Sequence, residues 1–253
     1  MERKTWRWSG RSLVAALCLM LLTAGIQARE RVYVGAYDFP PYLDVEDGMP
    51  VGGIVLRFLE QMNALQSDYQ FELYFTSPAR RFVDLEAGHF SVMLFENPEW
   101  GWDTNIVSAV PLPEMFDDRE IYIARAIPGR DQAYFDDFTE RRMAGILSYH
   151  YAFADFNNNP DDLRNRFNMI LVSTQSALMQ LVLEGRADIA VISQVYLQRY
   201  LQESPEVAER LLVSERYDQI YKHHVLAVSE QAELAEQIAH WMHELAPLAV
   251  ELQ

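Results

Sequence analysis

The chain has 253 residues, half of them hydrophobic, with 37 acidic against 21 basic side chains and a formal net charge of −16 at pH 7. A surface that negative repels nucleic acid and anionic lipid, so both are excluded as partners. One cysteine rules out a disulfide framework and thiolate-built metal sites.

Residues 1–28 read as a secretory signal. Arg3, Lys4, Arg7 and Arg11 form a positive start, 13–22 is an apolar run too short to span a bilayer comfortably, and small residues follow up to Ala28. Cleavage is expected after Ala28, an uncleaved anchor being the alternative. Cys18 lies inside the run behind Leu17, which is too large for a lipid-attachment site, so the exported piece carries no cysteine. Residues 1–28 hold one acid and four cations, which leaves 36 acidic and 17 basic side chains, a charge of about −19. The expected location is the periplasm, as a monomer.

The segment RVYVGA (31–36) reads as a strand ended by Pro40-Pro41, and Gly48 and Pro50 mark a turn. Ile54, Val55, Phe58, Leu59, Met62 and Leu65 then recur at helical spacing, and QFELYF (70–75) alternates like a strand. This β-loop-α-β opening is the unit of parallel sheets. Two later segments echo each other. DLEAGHFSVMLF (84–95) and VLEGRADIAVIS (182–193) each run from a helix end through Gly88 or Gly185 to a strand apolar on both faces. One unit recurring about 100 residues later points to two similar lobes.

Between the echoes, 107–126 reads as an extended crossing segment, 137–143 as a short helix and AGILS as a strand. Ser173 and Thr174 start a helix, 211–217 and 223–229 read as strands, and 229–252 is a final amphipathic helix broken near Pro247.

The stretch RVYVGAYDFPPYLDVEDGMPVGGIVLRFLEQMNA is similar to the start of family 3 bacterial solute-binding proteins. SPARRFVDLEAGHFSVML resembles that family's Arg-bearing helix before a strand, and STQSALMQLVLEGRADIAVIS its motif in the other lobe. The resemblance implies an α/β fold of the type II periplasmic-binding-protein kind, two α/β lobes with a cleft between them and two crossing strands as hinge. Lobe one is expected over 29–118 and 220–253, lobe two over 119–219. It also implies that a small polar solute is clamped in the cleft and handed to an inner-membrane ABC permease. The alternatives are a sensory protein reporting a solute to a membrane receptor and an enzyme working in the same cleft. Motifs for acyl or phosphoryl chemistry and dinucleotide turns are absent from the sequence, and Glu96 is the one candidate for a catalytic carboxylate.

In that family a Ser/Thr-x-x-x-Arg stretch holds the ligand carboxylate and a lobe-two acid holds the α-amino group. Here FENPEWGWD stands at the first place and Ile192-Ser193-Gln194 at the second, so the expected ligand is not a standard α-amino acid but a cationic or amide-bearing metabolite.

The candidate ligand-binding residues follow from position. Tyr37, Phe39 and Tyr42 offer flat faces on a wall stiffened by two prolines, with at least one of them capping the core, and Asp38 stands ready for a cation. Arg80 is expected to grip a carboxylate, with Arg81 a solvated helix residue. Glu96 would bind an amine, and Trp100 would stack on the ligand, with Trp102 packing beneath the hinge. In lobe two, Ser148, Tyr149, Thr174 and Ser193 offer hydroxyls, and helix N-termini would offer N–H groups to an anion; a cap is the plain reading of Thr174. His223 and His224 are adjacent and point to opposite faces, so no metal and no cofactor is expected.

Overall fold

The computed structural model describes residues 29–250 apart from Thr139, with side chains followed to Ala246. The signal-peptide reading, with Cys18, lies outside the described residues. The first sheet contains β1 (Glu30–Ala36), β4 (Tyr69–Phe75), β5 (Val92–Glu96), β6 (Val107–Pro111) and β12 (His224–Val228), in the order β4-β1-β5-β12-β6. β1 is parallel to β4 and β5, and β12 runs antiparallel to both β5 and β6. A hairpin of β2 (Asp44–Glu46) and β3 (Met49–Gly52) precedes α1 (Ile54–Leu65), and α2 (Arg81–Glu86) precedes β5.

The second sheet has the order β11-β7-β10-β8-β9, from β7 (Asp118–Arg125), β8 (Met143–Ile146), β9 (Ile170–Val172), β10 (Ile189–Ser193) and β11 (Leu211–Tyr221). Helices α3 (Pro160–Phe167), α4 (Gln175–Leu183) and α5 (Gln194–Glu203) accompany it, and α6 (Ala232–Val250) returns to the first lobe. The chain crosses between lobes twice, at 112–117 and at 222–223, and the crossings are tied where Leu112 N–H donates to the His223 carbonyl. The fold is two α/β lobes joined by two passes of chain.

Alternation explains the doubly covered second sheet. On β10, Ile189 and Val191 join one apolar cluster with Tyr122, Met143 and Met169, while Ala190 and Ile192 join the other with Leu178, Val182 and Leu197. The two echoing glycines both sit at positive φ, 71° at Gly88 and 72° at Gly185. Gly53 has a sharper requirement: at φ 111° a Cβ would lie 2.6 Å from the Tyr42 carbonyl oxygen. That close approach lets the loop after β1 close onto α1, where Ile54 and Val55 N–H groups donate to the Pro41 and Tyr42 carbonyls. The double-proline loop therefore caps the first helix.

Two expected elements differ. In place of a helix over 137–143, a 3-10 turn forms at Gln132–Phe135, capped by Asp131, and Met143 already opens β8. Phe135 is buried beside Tyr122, with Phe138 on the other ring contact of that tyrosine, and this packing sets the segment's path. The last helix runs through Pro247 without a break.

Candidate functional site

The tips of both sheets converge on one pocket. The carboxyl ends of β1, β5, β8 and β11 point into it together with the start of the antiparallel β7, the position where open α/β sheets hold ligands. Its lining is Tyr37, Phe39, Arg81, Trp100, Glu120, Ser148, Tyr149, His150 and Gln219. The free volume is ≈ 10 Å³, about one water. The lobes are closed on each other and the cleft is filled by side chains of the protein itself.

Aromatic rings do most of the filling. Phe39 meets Tyr149 of the other lobe at 6.0 Å and 83°, and Trp100 at 6.2 Å and 72°. A polar bridge crosses the same gap, where Trp100 Nε1 donates to Gln219 Oε1 at 3.3 Å, and within the second lobe Gln219 Nε2 donates to the His150 carbonyl at 2.6 Å. At the cleft mouth Arg199 of α5 reaches Asp44 of the lobe-one hairpin with two nitrogens, at 3.1 and 2.6 Å. Both partners are about a quarter exposed, so this bidentate pair acts as a latch screened only partly by solvent. Asp44→Asn is expected to lower stability by about 1 kcal/mol and to raise the radius of gyration measured by small-angle X-ray scattering. An unchanged radius would mean the pair does not hold the lobes together.

The two adjacent arginines exchange the roles expected of them. Arg80, at the start of α2, is 70% exposed along its side chain and pairs with Asp84 away from the pocket. Arg81 is the buried one, at 1%. Its Nη2 donates to the Trp100 carbonyl at 3.1 Å, its Nη1 to the Pro78 carbonyl at 2.6 Å, and its Nε lies 3.5 Å from Glu96. The guanidinium also stands 4.4 Å from the Phe82 ring centre and 5.4 Å from that of Tyr37.

Glu96 is not open to an amine, because Arg81 and Trp102 Nε1, at 2.8 Å, already occupy its carboxylate. Burial pushes its pKa up, while Arg81, Trp102 and the Tyr37 hydroxyl pull against that. Trp102 packs against Phe82 rather than the ligand side. Tyr42 is a core residue, fully covered by Phe95 and His223 at 4.6 Å each, with its hydroxyl left unpartnered. Asp38 stands half-buried beside the hairpin, its pKa pushed up to about 6 by burial and then by Asp44. Ser148 lines the pocket in a left-handed conformation at φ 67°.

Thr174 and Ser193 lie outside the pocket and cap helices instead. Thr174 Oγ1 accepts from Ala177 N–H at the start of α4. Ser193 Oγ accepts from Tyr196 N–H at the start of α5 and donates to Asp118 Oδ2 at 2.8 Å. At the start of α1 the Ile54 and Val55 N–H groups are taken by loop carbonyls, and at the starts of α4 and α5 the Ala177 and Tyr196 N–H groups are taken by the capping hydroxyls.

Besides Arg81, three pocket residues were not foreseen, Glu120, His150 and Gln219. Glu120 had a signal in DDREIY, since Asp118, Glu120 and Tyr122 share one strand face at a spacing of two and the acids lead into an apolar run. Burial, then Asp118 and Asp218, push the Glu120 pKa well above the usual carboxylate range. Burial lowers His150 to about 4, with Arg81 adding to the effect. Among the described residues no cluster of three or more potential metal ligands occurs, and no helix is long and apolar enough to cross a membrane.

No protein-family profile matches the chain, and no curated protein matches it in sequence. Solved structures do match. A histidine kinase sensor domain with similarity to periplasmic binding proteins aligns with TM-score 0.65 at 16% identity, over 88% of this chain and 92% of the other. The substrate-binding protein of an amino acid ABC transporter aligns with TM-score 0.62 at 14% identity, over 87% and 94%. The arginine-bound form of truncated ArgBP from T. maritima aligns with TM-score 0.60 at 17% identity, over 85% and 96%. The chain has the two-lobed, type II periplasmic-binding-protein-like fold of these structures.

Proposed function

We propose that this protein is a periplasmic solute-binding protein that closes its two lobes over a small polar solute. Residues 29–118 with 220–253 serve as one jaw and 119–219 as the other, the molecule working as a monomer. One observation carries the reading: groups from both sheets meet at the strand tips in one pocket, combining aromatic walls with buried charges. Charge of that kind, taken out of water, is costly unless it serves packing or a ligand. The solute-binding titles of the structural neighbours support the same reading, and since those neighbours are binding proteins and sensor domains, no reaction is placed on the site.

Delivery to an ABC permease is the first reading of the destination. A sensory role has its own support in the likeness to a histidine kinase sensor domain; genes for a permease or for a sensor beside this one would separate the two. The binding test is a thermal-shift screen of a metabolite library, followed by Trp fluorescence, since Trp100 lines the pocket. A true solute at 100-fold its Kd stabilises by about 2.7 kcal/mol, a rise of about 5–10 °C for a chain of this size. If no small solute raises Tm or changes the emission, the reading falls.

A further inference from the structure

Two acids near the pocket, half-buried Asp38 and fully buried Glu120, have no hydrogen-bond or ion-pair partner among the described residues, and the others are paired. Asp118 accepts from Ser193 and Tyr221 hydroxyls at 2.8 and 3.2 Å and from Arg119 N–H at 2.7 Å. Asp218 accepts from the Tyr122 hydroxyl at 2.7 Å and from Ala152 and Phe153 N–H groups at 2.9 Å each. Glu96 has Arg81 and Trp102. Glu120 is 3% exposed, lines the pocket, and among the described residues its carboxylate makes no hydrogen bond or ion pair.

The walls around it have a matching chemistry. Phe39, Trp100 and Tyr149 meet at steep angles, 72° and 83°, and so present ring faces and edges around one space. Ring faces carry the negative end of the aromatic quadrupole and attract cations, most strongly where water is excluded. The one cation in the pocket wall, Arg81, is neutralised by Glu96.

We propose that Glu120 is the receptor for the charged group of the solute, which is an organic cation bearing an ammonium or guanidinium, seated between Phe39, Trp100 and Tyr149. This rests on the solute-binding reading above. Phe39 and Tyr149 belong to different lobes, so lobe opening parts the rings to admit the cation and closure desolvates it against the carboxylate.

The groups facing Glu120 set the proton balance. They are Asp118 on its own strand, Asp218 and Tyr221 on β11, Tyr149, His150 and Tyr151 after β8, Tyr37 and Tyr42 after β1, and Arg81 on α2. The tyrosines stay neutral, their pKa values raised by burial, and His150 stays neutral above about pH 4. Burial and the neighbouring Asp118 and Asp218 favour the protonated Glu120 carboxyl in the empty cleft, and a bound cation favours the carboxylate, so cation binding and proton loss are coupled in that direction.

Isothermal titration in two buffers of different ionisation enthalpy tests this. Choline, putrescine and agmatine serve as probes, beside uncharged controls (the tert-butyl analogue of choline, butanediol) and glutarate, with hits from the metabolite screen added. Cationic ligands are expected to bind with net release of protons. Glu120→Gln should weaken them about 10- to 100-fold and reduce the release. If the best ligands are neutral or anionic, or Glu120→Gln binds the cations as tightly as the unaltered protein, the assignment is wrong while the solute-binding reading stands. If nothing binds, that reading fails as well. Should Glu120→Gln not fold, the preference of the unaltered protein for the cations over their uncharged analogues still decides.

Discussion

Arg81→Ala is expected to cost about 3–5 kcal/mol of stability, seen as a fall in Tm of about 6–20 °C, whereas Arg80→Ala next to it should stay within about 0.5 kcal/mol. The contrast follows from burial. Arg81 and Glu96 are 2% and 1% exposed along their side chains, so removing the guanidinium strands a carboxylate and also leaves the Trp100 and Pro78 carbonyls without their donor. Glu96 already has a raised pKa from burial, held down chiefly by Arg81. Without Arg81 it rises further, and the carboxyl takes up a proton. A carboxyl whose folded pKa is raised contributes stability that is fully present below its unfolded value, ordinarily about 4.3, and lost as pH rises through the folded value. The deficit of Arg81→Ala should therefore widen with pH. Adding Glu96→Gln should recover part of the loss and remove that pH dependence. An Arg81→Ala protein that melts with the unaltered one at pH 7 would show that the pair contributes nothing.

The same two arginines show where sequence reading ends. Periodicity located β1, α1, β4 and the two strands behind Gly88 and Gly185, because alternation and helical spacing are local properties of the chain. Which of two neighbouring arginines enters the interior is not local. It depends on the Trp100 carbonyl and Glu96, nineteen and fifteen residues away. Tyr42 failed as a site residue for a related reason: the loop that carries it folds back to cap α1, and that turn sends its ring under Phe95 instead of outward. His223 and His224 were separable from sequence alone, since adjacent residues in extended chain diverge, and His223 is fully buried while His224 bonds the Lys222 carbonyl at the surface. Glu120 was legible as an acid on an apolar strand, but its lack of a partner is a property of the assembled cleft.

Buried histidines and buried acids carry opposite shifts and should tilt the stability of this protein with pH in opposite directions. His223 is fully enclosed by the rings of Phe39, Tyr42, Phe95, Trp100 and Tyr221, with neither ring nitrogen partnered, and burial lowers its pKa to about 3. A histidine lowered in the fold contributes stability that is present above 6.5 and lost as pH falls towards the folded value, and His150 at about 4 acts in the same direction. The acids act oppositely. Asp118 and Asp38, each pushed up to about 6 chiefly by burial, and Glu120, Glu96 and Asp218, also raised chiefly by burial, stabilise the fold below their unfolded values and lose that contribution as pH rises.

Each titrating group tilts stability by about 1.4 kcal/mol per pH unit within its window. Between about pH 4 and 6 the two sets oppose each other, so the acid limb stays shallow until Asp118 and Asp38 are fully protonated and only the histidines still titrate. Above pH 6.5 the histidines are silent and Asp118 and Asp38 are nearly spent, so a decline there comes from the remaining raised acids, Glu120 among them. Urea midpoints measured from pH 4 to 9 should therefore decline above neutrality in the unaltered protein and decline less steeply in Glu120→Gln, while His223→Phe should flatten the acid side. Midpoints that climb steadily to pH 9 would mean that Glu120 is ionised inside the closed cleft. A carboxylate already charged there has no proton to give up to an entering cation, so the same curve bears on the ligand as directly as it bears on the fold.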